Sequence, residues 1–119
     1  MGAKYLFEVG LNGESPRRKD SNAAGYDFFA AQSVNIPAGQ SYRVKTNVKV
    51  NIPQGFVGTF HSKFNMAFKH LVMVLGGVIS PEFNEEVSIG LINMGHDMLE
   101  IRKGDAIAQL VITPCLTGA

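Results

Sequence analysis

Tyr42-Arg43-Val44-Lys45-Thr46-Asn47-Val48-Lys49-Val50-Asn51-Ile52 alternates without a break. Tyr42, Val44, Thr46, Val48, Val50 and Ile52 point one way; Arg43, Lys45, Asn47, Lys49 and Asn51 point the other. A period of two predicts an antiparallel strand with one face in the core and one in water. So long a strand is expected to bend near Thr46-Asn47.

The same signal recurs outward from this run. Upstream, Lys4 to Val9 reads as a first strand, Asn12 to Pro16 as a loop, and Val34-Asn35-Ile36 as a short strand before a Pro37-Ala38-Gly39-Gln40 turn. Downstream, Val87, Ile89 and Leu91 alternate with Glu86, Ser88 and Gly90. Asn93 to Asp97 is a turn, Leu99-Glu100-Ile101 a short strand, Lys103-Gly104 a turn, and Asp105 to Ile112 the last clear strand. About ten short strands with regular turn signals predict an all-β sandwich or barrel. One short helix is expected, over His61 to Lys69, where Phe64 and Phe68 lie four apart and Ser62 stands near the start. It would either plug a barrel end or offer free N–H groups to an anion.

Composition bounds the function. The 119 residues suit a single domain, residues 1–119, with one core. A net charge of +1 lacks the basic excess of a protein that grips a nucleic-acid polymer, and a small phosphorylated ligand needs only a local cluster. No apolar run approaches a membrane span, and the N-terminus lacks a signal-peptide pattern. The single Cys115 excludes an intrachain disulfide framework and fits a reducing, cytoplasmic setting. Three scattered histidines and one cysteine make no zinc pattern.

Four stretches carry chemistry. In Leu75-Gly76-Gly77-Val78-Ile79-Ser80-Pro81-Glu82-Phe83-Asn84-Glu85-Glu86-Val87, the two glycines are expected to reverse Leu71–Leu75 into a hairpin with Val78-Ile79. Glu82, Asn84, Glu85 and Glu86 then gather three carboxylates and an amide, as a pocket wall or as an ordinary solvated loop. Asp27, among aromatics in Ala23 to Ala30, needs a partner, because burying a lone carboxylate is costly. That partner is a backbone N–H, a cation elsewhere in the fold, or a hydrated metal on a phosphate chain. Arg17-Arg18-Lys19-Asp20 is either a solvated loop or a phosphate contact. Gln109 is a lone amide in an apolar strand, and left unpaired it would cost about 1–3 kcal/mol. It bonds backbone or is aimed at a ligand.

Four stretches, in chain order, resemble the motifs of trimeric dUTP diphosphatases (dUTPases), at Ala24–Phe28, His61–Phe64, Gly77–Phe83 and Gly104–Leu110. Ala24-Gly25-Tyr26-Asp27-Phe28 is similar to Ala-Gly-x-Asp-Leu. Val-x-Thr, then Ile52-Pro53-x-Gly55-x-x-Gly58, follows the family spelling. His61-Ser62-Lys63-Phe64 stands where the family has Arg-Ser-Gly-Leu, and Gly77-Val78-Ile79-Ser80-Pro81-Glu82-Phe83 where it has Gly-Val-Ile-Asp-x-Asp-Tyr. Gly104-Asp105-Ala106-Ile107-Ala108-Gln109-Leu110 matches Gly-Asp-Arg-Ile-Ala-Gln-Leu except for the Arg. The resemblance spans about Pro16 to Pro114.

The resemblance implies a jelly-roll β-barrel and a homotrimer with pockets between subunits. Strand faces with leftover apolar residues, such as Ile107 and Val111 flanking Gln109, agree with the trimer. It implies a small-molecule nucleotide as partner and Mg²⁺ held through phosphates and water, with Asp27 as the metal residue. Nucleotide contacts would come from Ser62, Lys63, Gly77, Val78, Ile79, Phe83 and Gln109. Ser80 stands at the catalytic base, and a serine hydroxyl has no useful basicity near neutral pH. Glu82, or Glu85 beyond it, is the acid that would have to replace it. The family's closing arm, Arg-Gly-x-Gly-Gly-Phe-Gly, has no counterpart after Pro114. The resulting expectation is a nucleotide-binding protein with hydrolysis lost or weak, sequestering a nucleotide or nucleotide-derived signal. The alternatives are an active dUTP diphosphatase with a relocated base, and an interaction module on a dead enzyme fold.

Overall fold

A computed structural model describes residues 5–116, which form ten strands and one short helix. The strands are β1 (Phe7–Val9), β2 (Tyr26–Phe29), β3 (Val34–Ile36), β4 (Ser41–Val50), β5 (Phe56–His61), β6 (Val72–Leu75), β7 (Val78–Ile79), β8 (Glu86–Asn93), β9 (Leu99–Ile101) and β10 (Ala106–Pro114). The helix α1 (Phe64–His70) lies between β5 and β6. One four-stranded sheet runs β1-β4-β8-β6, the other β2-β10-β5-β7, and β3-β9 form a two-stranded ribbon. All the pairings are antiparallel. Among the described residues no helix is long and apolar enough to cross a membrane.

The alternation in β4 builds one wall of the core. Val44, Thr46, Val48, Val50 and then Ile52 are buried, with Val87, Ile89 and Leu91 of β8 beside them and Phe28, Ile79, Ala108 and Leu110 in the same cluster. Phe28 meets Phe7 and Phe60 edge-to-face, with centroids 5.6 and 5.0 Å away. The expected bend is present. Asn47 takes a left-handed φ of +55°, which asparagine tolerates better than most residues, and the β4–β8 register shifts between Lys45 and Lys49. The Gly10 N–H donates to the Asn47 carbonyl at 2.7 Å. Buried Thr46 donates to the Val87 carbonyl at 2.6 Å and accepts the Val48 N–H at 3.3 Å.

Several expectations need correction. Gly76 and Gly77 do have positive φ, +62° and +134°, but they close no hairpin. β6 pairs with β8 in one sheet and β7 with β5 in the other, so the glycines carry the chain across the core between sheets. A Cβ on Gly77 would lie 2.9 Å from Phe60 Cβ, so the crossing needs a residue without a side chain. Described β1 begins at Phe7, and Lys4 lies outside the described residues, as do 117–119. The helix starts at Phe64, its N-cap is Lys63, and Ser62 makes no cap. No helix residue is buried; Phe64 and Phe68 stack on each other in solvent, 5.0 Å apart, and plug nothing. Tyr42, at the end of β4, is exposed. Ile107 faces the core, because a register shift between Ala106 and Ala108 turns two successive residues inward.

Asn93 is the buried polar pin of the turn after β8. Its Nδ2 donates to the carbonyls of Ile36 at 2.9 Å and Asp97 at 2.8 Å, and its Oδ1 accepts the Gly95 N–H at 3.0 Å. Asn93→Leu strands all three backbone partners. Urea denaturation should show a loss of about 3 kcal/mol, at about 1 kcal/mol per bond. A loss below about 1 kcal/mol would contradict this role.

Candidate functional site

The pairing of β10 sets the site. Gln109 lies opposite Asp27 of β2 on one side and opposite His61 of β5 on the other. Arg17 forms an isolated antiparallel bridge to Asp27. Residues directly opposite in antiparallel strands share a face, so Arg17, Asp27, Gln109 and His61 form a polar row across the outside of the β2-β10-β5-β7 sheet. Phe28, next to Asp27, points the other way and is fully buried.

Contacts tie the row to the segment after β5. Lys63 Nζ donates to Asp27 Oδ1 at 2.6 Å, with the two side chains 28% and 17% exposed. Lys63, the N-cap residue, has no acceptor to cap the helix, and its side chain runs back to the sheet. Gln109 Nε2 donates to the Ser62 carbonyl at 3.2 Å. Gln109 Oε1 fills the space where a Cβ on Gly25 would sit, 2.9 Å away, which is why the strand opens on glycine. Ser62 Oγ accepts the Val74 N–H at 3.1 Å. His61 Nε2 lies 2.8 Å from Thr59 Oγ1. Arg17 pairs with Glu14 at 2.9 Å and covers the Phe29 ring at 4.4 Å.

A cleft of about 270 Å³ lies beside this segment, lined by Phe60, Val74, Gly77, Val78, Ile79 and Phe83 among others. Its walls are mostly aromatic and aliphatic, with the Ser88 hydroxyl and backbone groups as the polar part, which suits a flat, partly polar ring. The Phe83 N–H donates to the Ser80 carbonyl at 3.0 Å, closing a turn over Pro81 and Glu82. Ser80 is half-buried and Glu82 exposed. Asn84, Glu85 and Glu86 are exposed as well, and Glu86 accepts the Asn47 amide at 3.3 Å. A broader depression of about 620 Å³ opens next to the cleft, over Tyr42, Arg43 and Leu75, and holds none of the residues singled out from the sequence.

The structure thus brings Asp27, Ser62, Lys63 and Gln109 into one contacting group. It places Gly77, Val78, Ile79 and Phe83 together in the cleft. Asp27 has a cation of the fold as its partner, and Gln109 bonds backbone. Sequence reading did not select His61 or connect Arg17 to Asp27. Only the strand register shows both, and no local motif encodes it.

Comparisons with known proteins bear on the family and the fold. The family model described as dUTPase matches residues 12–119. The mouse deoxyuridine 5'-triphosphate nucleotidohydrolase is 36% identical over 111 residues, covering 92% of this chain and 68% of the mouse protein. The protein of the same name from Paramecium bursaria Chlorella virus 1 is 33% identical over 117 residues, 98% of this chain and 83% of the viral one. The rat protein is 36% identical over 97 residues, and the match spans about half of it, 47%. In structure, the Staphylococcus bacteriophage 80alpha dUTPase superposes with a TM-score of 0.88 at 26% identity, covering 95% of this chain and 91% of that one. A mutant dUTPase of phage phi11 of S. aureus, described with a structural Mg(II) ion, gives 0.88 at 24% identity, covering 97% of this chain and 94% of that one, and so speaks to fold alone.

The Gln109–Ser62 bond predicts a stability effect independent of any ligand. Gln109→Leu should lower the unfolding free energy by about 1 kcal/mol in urea denaturation. An unchanged midpoint would mean that the amide contributes nothing to the fold.

Proposed function

This chain belongs to the dUTPase family, and from that premise we propose that it binds a deoxyuridine nucleotide and hydrolyses dUTP to dUMP and diphosphate. The observation that carries this reading is the contacting group of Asp27, Ser62, Lys63 and Gln109 on the outer sheet face, tied through Val74 to an apolar cleft. The cleft takes the base and sugar; the polar group takes the phosphates. In a trimer with pockets between subunits, the two halves of one ligand site need not come from the same copy. The expectation of lost hydrolysis has less behind it than the active alternative, since the relatives described above are named nucleotidohydrolases.

Hydrolysis needs a base for the attacking water, and Ser80 is not one. We assign that role to Glu82, which shares the Ser80–Phe83 turn with the missing carboxylate's position and is exposed to water. Phe83 keeps a ring at the sugar edge of the cleft. Binding without hydrolysis is the second reading, and Ser80 is the observation that favours it.

The assembly proposed is a homotrimer. With Ile107 in the core, its support shifts to the exposed Met73, Leu75 and Val78 beside the cleft and to the stacked Phe64 and Phe68. The single Cys115 supports a reducing, intracellular setting.

A metal held by protein side chains alone does not fit the residues present. Among the described residues no group of three His, Cys, Asp or Glu side chains could hold an ion, and Asp27 already holds an ammonium. Mg²⁺ arriving on a phosphate chain would meet an Asp27 carboxylate already paired with Lys63.

With dUTP, diphosphate release should be measurable, and Glu82→Gln should slow it by about 10²–10⁴. An unchanged rate would remove Glu82 as the base. Absence of release, with a non-hydrolysable analogue still binding, would leave the binding-only reading; no binding at all would leave an interaction module. Light scattering should give three times the chain mass, and a monomer at micromolar concentration would contradict the intersubunit site.

A further inference from the structure

We infer that Lys63, and not a divalent cation, supplies the positive charge that meets the phosphates at this site, so that phosphate-chain binding is independent of metal. This rests on the nucleotide reading above for the identity of the ligand, not for the chemistry of the group.

The carboxylate that could hold a cation holds one already. Asp27 Oδ1 and Lys63 Nζ are 2.6 Å apart, and both side chains are mostly withdrawn from solvent. An ammonium has three N–H donors. Among the described residues Lys63 uses one, on Asp27. Two remain for phosphate oxygens, and charge-assisted bonds of that kind are the strong ones.

Asp27 holds the ammonium at the sheet face and also offsets part of its charge towards an incoming anion. The neighbouring groups complete the geometry. Gln109 holds the Ser62 carbonyl, which sets where Lys63 leaves the backbone. His61 and Arg17 stand in the same row, and the Arg17–Glu14 pair at 2.9 Å lies in solvent. Lys63 is the cation of this group that is mostly shielded and held against the sheet, with two N–H donors left over.

Calorimetry on the full chain tests this with two probes, inorganic tripolyphosphate and non-hydrolysable α,β-imido-dUTP, each in EDTA and in excess Mg²⁺. Wild-type affinity should change by less than about threefold between the two conditions, whereas Lys63→Met in EDTA should lose at least about tenfold, the loss expected for one charge-assisted bond. Lys63→Arg should recover most of that loss. Asp27→Asn, which frees the ammonium, should keep or raise affinity for tripolyphosphate.

The inference is overturned if Mg²⁺ tightens wild-type binding about tenfold or more, or if Asp27→Asn weakens it by that much. It is also overturned if Lys63→Met binds like wild type. Circular dichroism checks that Lys63→Met folds; if it does not, the wild-type metal dependence and Asp27→Asn decide. Metal-independent, Lys63-dependent capture of tripolyphosphate without capture of the dUTP analogue would sink the nucleotide reading and leave this inference standing. An analogue bound only with Mg²⁺ would do the reverse, and no binding of either probe would sink both.

Discussion

Strand β10 is hydrogen-bonded along both edges, to β2 and to β5, and that double pairing fixes both the core and the site. Its inward residues, Ile107, Ala108 and Leu110, are nearly or fully buried. Its one amide, Gln109, is held on the outer face at the register where Asp27 and His61 flank it. A slip by one residue would send Gln109 into the core and Leu110 into water, an exchange that costs both a buried apolar chain and an unpaired amide. Hydrophobic burial therefore pins the register, and the register places the polar row.

The segment between β5 and β6 depends on that row in turn. Ser62 and Lys63 leave the sheet and enter a helix with no buried residue of its own. Apart from the partly buried Met66, which packs against the core, the helix has little apolar contact to hold it. Its anchor is polar: the Lys63–Asp27 pair, the Gln109–Ser62 bond, and the Ser62–Val74 bond at the far end of the loop. Exposed ion pairs contribute little, but this one is largely shielded, and losing either partner leaves an unpaired charge beside apolar surface. On the proposed reading, the bonds that would position a phosphate group are the ones that position the loop, so binding and local stability would be coupled here.

Much of the fold was legible because the alternation in Tyr42–Ile52 and Val87–Leu91 has a single physical reading. The bend at Asn47 was legible too, since a sheet cannot run flat for that length and asparagine accepts the left-handed turn. The crossing at Gly76-Gly77 was not. Two glycines permit positive φ in a hairpin and in a sheet-to-sheet crossover alike, and the choice lies in which strands they join. Ile107 was misplaced because one extra residue in a strand inverts the expected face beyond it. In the site, Ser62 and Gln109 could be named from motif wording, but Asp27's partner could not. Lys63 lies 36 residues away, and nothing local distinguishes a lysine that reaches back to a strand from one that reaches into water.

The substitutions relative to the family motifs gain coherence when their charges are followed through the structure. On the phosphate side the motif arginines are replaced by His61 and Ala106, and a lysine is gained at Lys63 where the motif has glycine. Ala106 begins β10, opposite Phe29, whose ring is covered by Arg17. His61 is turned towards Thr59. Neither position has an arginine's permanent charge, so on the nucleotide reading proposed above the charge that meets a phosphate chain would come from elsewhere on the face. A glycine at position 63 would leave Asp27 as an uncompensated, mostly shielded carboxylate, a poor neighbour for an anion without a cation between them. With lysine there, the carboxylate is neutralised from within the chain and donors are left facing outward. On the inference above, two arginine charges are given up near the strand ends and one lysine charge is gained beside Asp27 in the polar row.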